Sequence, residues 1–116
     1  MPRSYETQQT CPVARSLGLI GDRWTLLVVR DLLRGGTRFA DLMQSLEGIS
    51  PNVLSTRLKT LEDDGILERS IYEHHPPRAE YHLTEKGRAL SSVIGAIYDW
   101  GEQWAPSTDE VAAPSA

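Results

Sequence analysis

The chain has 116 residues, 40% of them hydrophobic and 24% charged, with a formal net charge of −4 and one cysteine. That length and apolar content suit a single small domain whose modest core a partner subunit would help to stabilise. The lone Cys11 excludes an internal disulfide and any Cys-x-x-Cys redox or zinc pair. The longest aliphatic run, residues 26–29, is far too short for a membrane span, and residues 1–10 hold no apolar core of the kind a secretory signal needs. A cytoplasmic location with no membrane partner is therefore expected.

The negative balance at first opposes a nucleic-acid partner. However, Asp99, Glu102, Asp109 and Glu110 all lie beyond Arg88, the last basic residue. Setting those four of the 16 acidic residues aside leaves 12, matched by the 12 Lys and Arg. A neutral body can bind DNA when its cations gather on one face, and Arg30, Arg34, Arg38, Arg57 and Lys59 fall around the segment 38–65, whose pattern is the most informative in the chain.

Residues 1–10 and 105–116 are polar or rich in Pro, Ser, Ala and acids, and bury too little apolar surface to offset their ordering entropy. They are expected as a flexible N-terminal tail and a flexible acidic C-terminal tail around a folded unit spanning 11–104. Within that unit, Pro12–Ile20 reads as a short helix. Asp22 can cap a second helix over 23–34, with Trp24, Leu27, Val28 and Leu32 among its apolar positions, and Gly35-Gly36 ends it. Thr37 can cap a third over 38–46, where Phe39, Leu42 and Leu46 form a core stripe, before a turn at Glu47-Gly48-Ile49.

The next helix carries the most information. Ser50 can cap it, Pro51 suits its first position because no amide donor is needed there, and Ile49 can staple against Leu54. At about 100° per residue, Leu54, Leu58 and Leu61 fall in one stripe, with Asn52, Thr56 and Lys59 nearly opposite. The third and fourth helices thus read as a helix-turn-helix with one core face and one free face. Small polar side chains with a cation can read base edges in a major groove. An amphipathic helix with a solvated outer face has the same periodicity. Glu62-Asp63-Asp64, at the carboxyl end, reads as solvated surface.

After Gly65 the period changes to two. Leu67, Arg69 and Ile71 alternate with polar neighbours, as do Ala79, Tyr81 and Leu83, which predicts two strands of a hairpin. The connection at 73–78, with Pro76-Pro77, is expected to project as a loop instead of closing a tight two-residue turn. Beside a recognition helix, such a loop is a wing. Thr84 can cap a last helix to about Trp104, in which Leu90, Val93, Ile94, Ile97, Trp100, Gly101 and Trp104 recur at near-heptad spacing. The fold class is mainly α with a small β-hairpin.

CPV near the start, GDRWTLLVVRDLL, RFADL, ISPNVLSTRLKTLEDDGILER and PPRAEYHLTEKG occur in that order over 11–104. Together they resemble the HxlR family of bacterial transcription regulators, relatives of the MarR regulators. The resemblance implies a winged helix-turn-helix, a homodimer built from the first and last helices, and inverted-repeat operators near the regulated genes. Two recognition helices would then enter successive major grooves about 34 Å apart.

On the residues themselves, Asn52, Ser55 and Thr56 are the expected base readers, Lys59 meets phosphate, and Arg57 either flanks the helix or braces the core edge. Arg38 either joins free amides in binding phosphate or pairs with Asp41. At the wing, Arg78, part of the family's PPR motif, either enters a minor groove or pairs with Glu73 or Glu80. Leu90, Ile94, Ile97, Trp100 and Trp104 are the expected dimer interface. Trp24 joins the core or that interface, and a pocket for an unknown small-molecule effector between the first and last helices is the alternative.

Cys11 precedes Pro12 at a helix start, where unsatisfied amides favour the thiolate and its reaction with oxidants or electrophiles. The resemblance implies the same, since some family members switch through a cysteine at this position. A structural thiol is the other reading. His74, His75 and His82 have no recognised metal spacing, and neither metal nor cofactor is expected. No glycine-rich phosphate loop and no Cys-His or Ser-His arrangement suggests an enzyme. Repression is the expected sign, because a dimer on an operator blocks polymerase without further parts. A winged helix without specific DNA binding, serving as a protein-interaction module, is the competing function that the acidic balance permits.

Overall fold

A computed structural model describes residues 11–75 and 77–107. The whole N-terminal tail at 1–10, Pro76 and residues 108–116 of the C-terminal tail, including Asp109 and Glu110, lie outside those residues. The order of elements is α1 (Pro12–Ile20), α2 (Thr25–Leu33), α3 (Phe39–Ser45), α4 (Pro51–Asp63), β1 (Leu67–His74), β2 (Pro77–Leu83), α5 (Glu85–Arg88) and α6 (Ser91–Trp104). Val28, Val29, Leu32, Leu42, Leu46, Ile49, Leu54, Leu58, Leu61, Ile66 and Leu67 make one buried cluster. Trp24, Leu27, Phe39, Tyr81, Leu83, Leu90 and Ile94 pack around it.

Local chemistry accounts for most boundaries. Ser50 Oγ accepts the Val53 amide at 3.2 Å, and Pro51 takes the first helical position of α4. At the far end Gly65 adopts φ 75°, the Gly65 amide reaches the Glu62 carbonyl and the Ile66 amide reaches that of Leu61. That is a Schellman ending, open to glycine at little steric cost. Gly35, at φ 100°, ends α2 in the same way, with its own amide on Leu32 and that of Gly36 on Asp31.

Four expectations are corrected. The Asp22 carboxylate accepts the amides of Trp24 and Thr25 and the Thr25 hydroxyl, which builds a turn and delays α2 to Thr25. Thr37 does not cap α3. Its carbonyl accepts the Tyr81 amide at 2.8 Å, and Arg38 bridges antiparallel to Glu80. This holds 37–38 extended as a short third rung on the hairpin edge, and Arg38 becomes the N-cap, with its amide on Asp41 Oδ2.

The wing is a tight hairpin and not a projecting loop. The strands run to His74 and Pro77, pairing Glu73 with Arg78 and His74 with Pro77, so only two residues lie between them. Proline is tolerated in the last rung because few ladder bonds remain there to be lost. The register shifts between Ile71 and Glu73, leaving Tyr72 as the extra residue of a bulge. Lastly, the C-terminal helix is two segments. Thr84 Oγ1 does accept the Gly87 amide at 3.1 Å, but Leu90 then bonds to Gly87 three residues back, and this tightened turn separates α5 from α6.

The segment after the hairpin is locked to the end of α4. The Ile66 carbonyl accepts the Thr84 amide and hydroxyl, both at 3.0 Å, and Lys86 Nζ donates to the Asp64 carbonyl at 2.7 Å. Gly87 is buried here, and a Cβ on it would stand 2.1 Å from the Ile66 oxygen and 2.9 Å from Leu83. Gly87→Ala should therefore lower stability by at least about 2 kcal/mol, the scale of overpacking against atoms that cannot yield. Denaturant midpoints at fixed protein concentration measure this, and an unchanged midpoint would mean that the contact relaxes freely.

Candidate nucleic-acid interface

The two faces of α4 are physically distinct. Leu54, Leu58 and Leu61 are buried, and each anchors one turn of the helix in the core. Asn52, Ser55, Thr56 and Lys59 are exposed. Helical periodicity alone turns these polar groups outward once the three leucines are fixed. Three neutral hydrogen-bonding side chains and one cation therefore stand on a rigid rod pinned at both ends.

Arg38, Lys59 and Arg78 are each tied to a carboxylate. Arg38 Nε lies 3.6 Å from Glu80 Oε2, and its guanidinium covers the Tyr72 ring at 4.8 Å from the centroid. It does not use Asp41 as its ion-pair partner, since Asp41 receives the Arg38 amide. Glu80 also meets His82 Nε2 at 3.2 Å. Lys59 pairs with Asp63 one turn along at 3.3 Å, and Arg78 pairs with Glu73 across the hairpin at 3.3 Å. Glu80 and Tyr72 are contacts of Arg38 that sequence spacing did not single out, whereas Glu73 is one of the two carboxylates expected beside Arg78. The four-residue separation of Lys59 and Asp63 is a readable signal for the third pair.

Arg57 is half-buried, with Nη1 3.6 Å from Asp22 Oδ1. This is the bracing alternative, and it ties the middle of α4 to the turn before α2. Partial burial alone would raise the Asp22 pKa. Hydrogen bonds from Thr25 and the Trp24 amide, with Arg57 beside it, outweigh that and hold it below the ordinary aspartate value. Asp31 is a buried acid whose Oδ1 lies 3.0 Å from Arg30, a pairing that the sequence pattern did not reveal.

Cys11 is exposed at the N-cap of α1. The amides of Ala14 and Val13, with help from Arg15, hold its thiol below the usual thiol pKa. An apolar groove of about 360 Å³ lies between α1 and the α5–α6 segment, with Val13, Leu17, Ile20, Leu90 and Val93 in its walls. Leu90 and Ile94 pack against the chain's own core, whereas Ile97, Trp100 and Trp104 are 51%, 63% and 65% exposed. Trp24 is half-buried beside the core. Among the described residues no three His, Cys, Asp or Glu side chains are grouped to hold a metal, and no helix is long and apolar enough to cross a membrane.

Residues 19–109 match the HxlR-like helix-turn-helix family. The chain belongs to that family. An uncharacterized HTH-type transcriptional regulator of Synechocystis is 38% identical over 100 residues, covering 86% of this chain and 74% of the relative. YvaP of Bacillus subtilis, described in the same terms, is 38% identical over 97 residues, covering 83% and 90%. Among solved structures, the redox regulator HypR in its oxidized form superposes with a TM-score of 0.74 at 35% identity, over 80% of this chain and 96% of HypR. The reduced transcriptional regulator YodB of B. subtilis gives 0.69 at 36%, over 82% and 94%. The winged helix-turn-helix of the HxlR-like family is thus the fold, and these relatives are transcription regulators, not enzymes.

The Asp22 brace carries a pH dependence. Because its folded pKa is depressed, its contribution is present above the unfolded value and is lost as pH falls through the folded one. Asp22→Asn should lower the urea midpoint at pH 7, with the gap from the parent closing below about pH 4, near the value for a free aspartate. Midpoints measured from pH 7 to pH 3 decide this, since a gap independent of pH would deny the carboxylate any linkage.

Proposed function

We propose that this HxlR-like protein is a cytoplasmic, sequence-specific regulator that binds double-stranded DNA as a homodimer at an inverted repeat and represses the adjacent genes. The single observation that carries the reading is α4, whose leucine stripe is buried while Asn52, Ser55 and Thr56 are presented outward. These three are the base readers, Arg38 and Lys59 the phosphate contacts, Arg57 the brace on the flank, and Arg78 the wing contact. Residues 11–104 carry both activities. The exposed Ile97, Trp100 and Trp104 of α6 supply the dimer surface, with Leu90 and Ile94 backing it from the core side.

Genomic fragments retained by the reduced protein at physiological salt, once sequenced, test this directly. A few strongly enriched fragments sharing an inverted repeat are expected, with Thr56→Ala costing about 1–3 kcal/mol of discrimination if it reads a base. Uniform or absent enrichment would favour the protein-interaction module.

Cys11 is proposed as the switch for oxidants or electrophiles. Its exposure and lowered thiol pKa support this, and the kinship with a redox regulator agrees. With one cysteine per chain, oxidation joins two subunits or forms a mixed disulfide with a small thiol. Diamide should release operator DNA from the parent and leave Cys11→Ser bound. Equal release from both in a mobility shift assay would remove the sensor.

A further inference from the structure

Among the described residues four ion pairs of an arginine or lysine with a carboxylate lie around α4 and the hairpin, and they are of two kinds. Arg57–Asp22 is the brace, with side chains 28% and 33% exposed, and Asp22 is occupied in building the turn before α2. The other three cations are far more open. Arg38 is 55% exposed, Lys59 70% and Arg78 56%, and each is held by a carboxylate that builds no turn or helix cap. Arg38 and Lys59 are the cations assigned above to phosphate, and Arg78 is the wing contact with the duplex.

We propose that Glu80, Asp63 and Glu73 act as intramolecular stand-ins for phosphate, which DNA must displace from Arg38, Lys59 and Arg78 before those cations can engage the duplex. The proposal rests on the DNA-binding reading of this face and adds affinity-setting residues to it. A carboxylate and a phosphate oxygen compete for the same guanidinium or ammonium donors, so one can be exchanged for the other. Exposed pairs are individually weak, which makes each displacement easy. Their joint effect is to lower the sequence-independent part of the affinity, the part that counterion release supplies.

Glu80 is the best placed of the three. It bonds Arg38 through one oxygen and His82 through the other, while the Tyr72 ring supports the guanidinium from its face. The Arg38 backbone is itself paired to Glu80 in the sheet. When Arg38 turns to a phosphate, its backbone stays fixed and only the side chain moves. The N-terminus of α3 therefore need not shift on binding.

The test uses Glu80→Gln, Glu73→Gln and Asp63→Asn in the full chain, titrated with a random-sequence duplex over a range of salt. Each variant should bind about two- to five-fold more tightly, the factor set by a weak surface pair. The slope of log affinity against log salt should stay close to the parent's, because the same cations meet the duplex once the carboxylate is displaced, and should fall by about 0.9 only where a phosphate-binding cation is itself removed.

Simple loss of negative charge is controlled by Glu68→Gln, on the same hairpin and in no ion pair among the described residues. It should give a smaller gain. The deciding comparison removes the cation first. In an Arg38→Gln background the gain from Glu80→Gln should vanish, and in Arg78→Gln so should that from Glu73→Gln. Gains that persist without the cation, or that merely equal that of Glu68→Gln, overturn the proposal while leaving DNA binding intact. No binding of any duplex by parent or variants removes the DNA reading and the proposal with it.

Discussion

The approach of Gly87 to the Ile66 carbonyl is the constraint on which the rest of the molecule depends. A helix backbone comes this close to another segment only where no Cβ intervenes, and the Thr84 and Lys86 bonds then hold it there. The contact joins the exit of α4 to the entrance of α5, so both ends of the hairpin are tied to one point. With Leu54, Leu58 and Leu61 in the core, α4 can neither roll nor slide. Its polar face has a fixed direction because its apolar face and its last carbonyls are already committed.

Charge is arranged differently from packing. The core is one continuous apolar cluster, but the outer surface around α4 and the hairpin is a set of short-range ion pairs between neighbouring elements. Arg57–Asp22 joins α4 to the turn before α2 with both side chains partly buried, where an ion pair resists solvent screening. The others are surface pairs of small individual worth, free to exchange partners. A chain with net charge −4 can thus carry exposed cations along α4 and the hairpin without an overall positive field.

The two ends of the chain have a separate logic. The exposed aromatic side chains on α6 and the apolar groove beside α1 are uncovered in the single subunit. Burying such surface is the main favourable term open to a domain with so small a core. Cys11 stands at the start of α1, on the margin of that same region. A change at its sulfur would therefore act first on the proposed surface between subunits.

Sequence by itself determined what depends on near neighbours. The Ser50 cap, the glycine endings at Gly35 and Gly65, the leucine stripe of α4 and the hairpin strands each follow from residues within a few positions of one another, where sterics and hydrogen bonding are local. The order of motifs also placed the chain in its family. Tertiary structure decided the partners. Thr37 lost its capping role because its carbonyl was taken by Tyr81, 44 positions away, and Arg38 found Glu80 and Tyr72 through the same pairing. The wing closed tightly because Glu73 and Arg78 meet across the ladder. Gly87 is required by the Ile66 carbonyl that lies beneath it, a contact 21 positions away along the chain. Capping and periodicity are short-range and so can be read along the chain, whereas which carboxylate meets which cation depends on where folding brings distant segments together.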